Sequence, residues 1–186
     1  MRKVASLIKS KRGLSQVVTT LILLVVSVLL AGVVTYYATN ITMTRTEQEE
    51  VDISKAHIWV NGSTQVAAFM VENLGGRDIL IDKITVRGVE CSWSNVYFER
   101  LTSAPSADMN VTRESLITGS SFSLYGKTYD QASTDIPVAS SGVVLFYIKN
   151  PDNIDLDDVG TTVSITVFTK DGQYIEEVNV ESATST

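Results

Sequence analysis

The chain has one cysteine, Cys91, and one histidine, His57. A lone cysteine closes no internal disulfide and completes no cysteine-based metal site. A lone histidine leaves little material for a catalytic triad or a zinc centre, and no G-x-S-x-G, H-E-x-x-H or P-loop pattern occurs. The expectation is a protein that is not an enzyme and carries no cofactor and no metal. The longest absence is of charge. Between Arg12 and Arg45, the 32 residues from Gly13 to Thr44 carry no charged side chain and no proline, and Gly32 is the one glycine inside the aliphatic stretch.

What charge there is divides unevenly. Arg2, Lys3, Lys9, Lys11 and Arg12 are basic, and no acid precedes Glu47. Removing those five from the 15 basic residues leaves 10 against 21 acids, or −11 for residues 14–186. A body that acidic repels phosphate backbones, which argues against nucleic acid as a partner. The basic start fits the rule that Lys and Arg remain on the cytoplasmic side of a membrane segment, with the C-terminal body outside.

Leu14–Thr20 is semi-polar, Leu21–Val34 is almost continuously aliphatic, and Tyr36-Tyr37 stand where interfacial aromatics sit. As a helix, Leu14–Ala38 is about 37 Å long, enough to span a bilayer. Three readings compete. A cleaved secretory signal has a shorter apolar stretch, of about 7–15 residues, and Tyr-Tyr is a poor substitute for its small-residue cleavage site. A permanent single-pass anchor accounts for the run without explaining the abrupt boundary before it. A pilin-type precursor loses its basic leader just before the helix and keeps the helix.

The motif Lys11-Arg12-Gly13 followed by Leu14-Ser15-Gln16-Val17-Val18 and an aliphatic run resembles the class III signal of archaeal type IV pilins. The resemblance covers about 30 residues closely. It implies cleavage by a membrane prepilin peptidase at Arg12-Gly13-Leu14, between Gly13 and Leu14; glycine, lacking Cβ, lets the chain enter a protease cleft extended. Bacterial type IV pilins usually carry Glu at the fifth mature position, where this chain has Val18, so the likeness is to the archaeal branch. Archaellins have a Gly-rich mature start that Leu14-Ser-Gln-Val-Val does not closely match, which favours an adhesion-type pilin. The implied partners are copies of the chain itself, the peptidase, an assembly ATPase and its membrane platform protein. The implied locations are the cytoplasmic membrane before assembly and an extracellular pilus afterwards. The alternatives are a membrane-anchored extracellular binding module that never polymerises and an archaellin-like motility subunit.

A helix apolar on every face belongs in a bilayer or inside a larger assembly. Ser27, Ala31 and Thr35, with Gly32 beside them, form a small-residue stripe that would admit close helix packing. Thr42–Lys55 lacks Gly and Pro and contains Glu47-Gln-Glu-Glu50, so the helix is expected to continue to residue 55 as a polar stalk.

From His57 onward, β-rich runs alternate with turn signals. In 78–88, Ile79, Ile81, Ile84 and Val86 point inward if one residue slips near Asp82. The continuous apolar run 142–150 reads as a central strand, and 161–169, Asp171-Gly172 and 173–180 as a hairpin. The expectation is an α+β chain: a leader (1–13), a helix and stalk (14–55), and an immunoglobulin-like antiparallel β-sandwich (56–186). The Ser/Thr-rich stretch 102–141 reads as one or two short strands around 121–125, with the rest exposed. Outward topology makes glycosylation feasible at three N-x-S/T sequons, on Asn40, Asn61 and Asn110. The acidic loop 150–160 fails the EF-hand pattern and reads as a solvated connection. Trp59 and Trp93 read as packing residues.

Overall fold

The computed structural model describes residues 2–183, with side chains over 13–44 and 48–183. The uncharged run lies within one continuous helix, α1 (Arg2–Glu47), whose backbone does not break at Gly13. The chain divides into two compact units, residues 1–45 and 46–186. The second contains eleven strands among its described residues: β1 (Val51–Asn61), β2 (Thr64–Asn73), β3 (Ile79–Val86), β4 (Val89–Glu90), β5 (Val96–Leu101), β6 (Ser121–Leu124), β7 (Lys127–Gln131), β8 (Ile136–Val138), β9 (Val143–Lys149), β10 (Thr162–Thr169) and β11 (Gln173–Ser182). The layout is therefore α+β, a long apolar helix followed by a large and mostly antiparallel sheet.

The stalk ends earlier than its composition suggested. Residues 51–55 are strand rather than helix, because Val51 and Ile53 are buried while Asp52 between them is exposed. That period of two places both apolar side chains on the core face of a strand. The β2–β3 turn clamps the entry to β1. Leu74 and Gly75 donate backbone N–H groups to the Glu50 carbonyl, at 2.8 and 3.1 Å. A Cβ at Gly75 would lie 2.9 Å from the Gln48 carbonyl oxygen, so this approach requires glycine.

The two separate sheets of a sandwich are replaced by one curled sheet, in the order β4-β3-β10-β11-β1-β2-β9-β5-β7-β6, with β8 also paired to β3. Every pairing is antiparallel except that of β1 with β11, which runs parallel from Ile58↔Val180 to Val60↔Ser182. This short parallel junction joins the half built on β1, β2, β9 and β5 to the half built on β3, β10 and β11. Both halves contribute to one core, in which Ile58, Phe69, Ile81, Ile84, Phe146 and Ile165 have no exposed surface. The expected slip in β3 is present: Lys83 pairs with Phe168 but Ile81 with Thr169, leaving Asp82 as the extra residue of a bulge. Ile79, Ile81, Ile84 and Val86 are all buried. Strand β9 sits centrally between β2 and β5, and β10–β11 is the expected hairpin.

The Ser/Thr-rich stretch carries the expected short strand, as β6, and most of its residues are exposed, but a few spaced apolar side chains tie it down. Residues 102–131 fold back across the outer face of β1, β2, β9 and β5 and make a second core, in which Met109, Ile117, Phe122 and Tyr129 meet Trp59, Met70, Tyr97, Leu145 and Tyr147. Phe122 stacks on Tyr129 at 5.0 Å, and both rings meet Tyr147 edge-on, at 5.7 and 4.9 Å. Strands β2 and β9 are thus buried on both faces, which explains why β9 reads as an unbroken apolar run. Ile117→Ala should cost about 2–5 kcal/mol in denaturant unfolding, a core penalty. Leu116→Ala, at its exposed neighbour, should stay within about 0.5 kcal/mol of wild type.

Candidate functional site: an uncovered apolar helix and a pinned strap

Over Gly13–Thr44 none of the helix surface is buried. Its large apolar side chains range in exposure from 45% at Val26 to 71% at Leu14. This span is long and apolar enough to cross a membrane. Seven of its hydroxyls are satisfied within the helix itself. Thr19, Thr20, Ser27, Thr35, Thr39, Thr42 and Thr44 each donate to a carbonyl three or four residues earlier in the helix, at 2.8–2.9 Å. The stripe of Ser27, Ala31, Gly32 and Thr35 is accordingly small and internally satisfied, and a Cβ at Gly32 would meet nothing within 4 Å. At the expected cleavage site Gly13 and Leu14 are helical and exposed, and the Arg12 side chain lies outside the described residues. Cutting there requires local unwinding, and Gly13 lowers its cost by about 1 kcal/mol relative to alanine.

The three sequons have different surroundings. Asn40 is exposed on α1. Asn61 and Ser63 are exposed at the tight β1–β2 hairpin, where Gly62 takes φ +64°. Asn110 is exposed, but its carbonyl accepts the Tyr147 hydroxyl at 2.8 Å, and Thr112 is buried with no partner for Oγ1.

A polar cluster that sequence reading did not assemble surrounds His57. The imidazole stacks on Trp59, with centroids 5.2 Å apart and planes 5° apart. Its Nε2 lies 3.1 Å from Asp108 Oδ1 and its Nδ1 3.3 Å from Glu181 Oε1. Glu181 Oε2 accepts the Trp59 indole N–H at 3.1 Å. Lys55, at φ +52° beside the irregularity in β1, donates its ammonium to the carbonyls of Pro105 and Ala107. Together these contacts pin residues 105–108 as a strap across the second core. A cavity of about 220 Å³ lies beneath it, lined by Pro105, Met109, Leu124, Tyr129 and Tyr147 among others. Asp108 and Glu181 lie 51 and 124 residues from His57, so no local signal joins them.

In the acidic loop, Asp155 and Asp158 close a capping box around a single 3-10 turn (Leu156–Asp158). The Asp155 N–H donates to Asp158 Oδ2 at 2.9 Å, and Arg87 pairs with Asp158 at 2.8 Å. Those carboxylates are turned onto their own backbone and an arginine. Among the described residues no group of three His, Cys, Asp or Glu is placed to hold a metal ion. Cys91 is half-buried, and burial pushes its thiol up to about 12, leaving little thiolate at neutral pH.

No protein-family model and no curated protein matches this chain. Among solved structures it is similar to the apo PmoF2 PCuAC domain, at a TM-score of 0.42 and 14% identity, over 74% of this chain and 98% of that one. At that score the likeness carries no weight for function.

The strap has a defined response to acid. The Met109 N–H, and secondly the His57 ring, hold the Asp108 carboxyl below the ordinary aspartate range. A depressed folded-state pKa contributes stability above the unfolded value of about 4, and that contribution is lost as pH falls through the folded value. Hydrogen exchange over 102–113 should therefore quicken in that acid window. Asp108→Asn should show faster exchange already at pH 6 and lose the acid step. A second expectation concerns modification: mass spectrometry of the folded protein treated with an oligosaccharyltransferase should find glycan at Asn61 and none at Asn110.

Proposed function

We propose that this chain is the precursor of an archaeal type IV adhesion pilin, a structural subunit without chemistry of its own. The observation that carries the reading is the 32-residue uncharged helical span that nothing covers, preceded by a basic cluster ending in Arg12-Gly13 and followed by an independently cored β-rich body. A bilayer stores such a helix, and a bundle of identical helices replaces the lipid. Lipid tails and neighbouring helices are similarly apolar, so the exchange is nearly balanced in hydrophobic energy and close packing tips it. The seven helix-satisfied hydroxyls support this, because they need no new partner in either medium. On this reading prepilin peptidase cuts between Gly13 and Leu14, an assembly ATPase and platform protein extract the subunit, and the body forms the outer wall of an extracellular filament.

A second reading, a membrane-anchored extracellular β module that stays in the membrane, is favoured by the same helix taken alone. The mature N-terminus separates the two. Sequencing chain recovered from cell surfaces should find Leu14 first, and sheared surface filaments should contain the chain. Gly13→Phe should leave the precursor uncut and the surface bare. A chain still beginning at Met1, in cells without filaments, would favour the anchored module.

A further inference from the structure

Protein interiors are close-packed, with few voids larger than a water molecule. The second core departs from this beneath the strap, where the cavity of about 220 Å³ is kept open. Residues 105–110 form one side of it, the β6–β7 turn the other, and Leu145 and Tyr147 of β9 the floor. The strap does not collapse into this space because its polar groups are tied elsewhere. The Pro105 and Ala107 carbonyls are held by Lys55, and the Asp108 carboxylate by His57.

Two features of the lining point to a ligand. The first is a spare hydroxyl. Tyr129 lines the cavity and is only 3% exposed, yet among the described residues its hydroxyl has no hydrogen-bond partner. Buried hydroxyls are ordinarily paired, as the neighbouring Tyr147 hydroxyl is, to the Asn110 carbonyl. The second feature is Tyr125. Pairing of Leu124 with Lys127 leaves a two-residue turn, in which Tyr125 takes φ +48° and Gly126 φ +79°. Such turns favour Asn, Asp or Gly at the first of these positions, and a bulky side chain there is strained. The strained turn sets a ring that is 74% exposed at the rim of the cavity.

The rest of the lining selects the ligand. It is mostly apolar, from Met109, Leu124 and Leu145 to the rings of Tyr129 and Tyr147, which meet edge-on at 4.9 Å. Lys127 and Asp108 line it with opposite charges, so neither sign of ligand is favoured. A dry cavity of about 150 Å³ holds benzene, so this one has room for a single ring and a small substituent. We infer that the cavity binds a small uncharged molecule with one aromatic ring bearing an oxygen. That oxygen accepts a hydrogen bond from the Tyr129 hydroxyl, and Tyr125 flanks the ring at the entrance. The inference concerns the β-rich body and stands whether or not the chain polymerises.

Methyl-labelled methionine in the full chain, dispersed in detergent, tests it, with phenol as the probe and benzene as its oxygen-free counterpart. Met109 lines the cavity, whereas Met43 is exposed on α1 and reports phenol dissolved in the micelle. Titrated phenol should shift the Met109 methyl resonance along a saturating curve while Met43 drifts without saturation. Tyr129→Phe removes a hydroxyl that pairs with nothing, so the unfolding midpoint should hold. Its phenol binding should weaken about fivefold, the net worth of one hydrogen bond, and its benzene binding should not change. Tyr125→Asn should raise the unfolding midpoint by relieving the turn, yet weaken both ligands. A Met109 resonance that drifts with Met43 and never saturates would overturn the inference, as would phenol binding unchanged in either variant.

Discussion

A helix that is apolar on every side cannot be left in water, and the rest of this chain is arranged around that constraint. Gly13–Thr44 has no buried surface, and the β-rich body is a compact unit by itself. The body consequently has to be stable on its own, without a disulfide. It achieves this with two cores, one shared by the two halves of a curled sheet and one built over the outer face of β1, β2, β9 and β5. The second core is what lets a single sheet bury enough apolar surface: β2 and β9 are sandwiched on both faces by elements of the same chain.

Legibility in the sequence followed the range of the forces involved. The helix, the β10–β11 hairpin, the central position of β9 and the bulge at Asp82 all depend on side chains within a few residues of one another, and their periodicity is visible locally. The end of the stalk was misjudged because four consecutive helix-favouring residues, Glu47 to Glu50, stand directly before Val51 and Ile53, whose alternation is only two apolar residues long. Pairing with β2 across Val51↔Asn73 outweighs that propensity. The cover over the second core was missed because Met109, Ile117, Phe122 and Tyr129 are widely spaced among serines and threonines and have no period. The parallel junction of β1 with β11 joins residues more than 120 positions apart, so a separate two-sheet sandwich was the natural expectation.

The candidate site divides in the same way. The uncharged span and the basic boundary at Arg12-Gly13 are readable at sight. The His57 cluster is not, because Lys55, Asp108 and Glu181 come together only after β1, the strap and β11 have found one another. That cluster also marks where three long-range pieces of the fold meet; the side chains of His57, Asp108 and Glu181 are exposed or half-buried, and they clasp the strap at the edge of the second core, to which Trp59 belongs.

The position of β1 has a mechanical consequence. The strand that follows α1 is an interior strand, laddered to β2 through nine residue pairs from Val51 to Asn61 on one side and to β11 on the other. A pull transmitted from the helix along β1 loads many of these hydrogen bonds together in shear, instead of peeling them apart one at a time as at a sheet edge. Because β11 runs parallel to β1, it is drawn along its own axis by the same load. Tension entering the body from the helix is thus spread over both halves of the sheet before any single strand can yield.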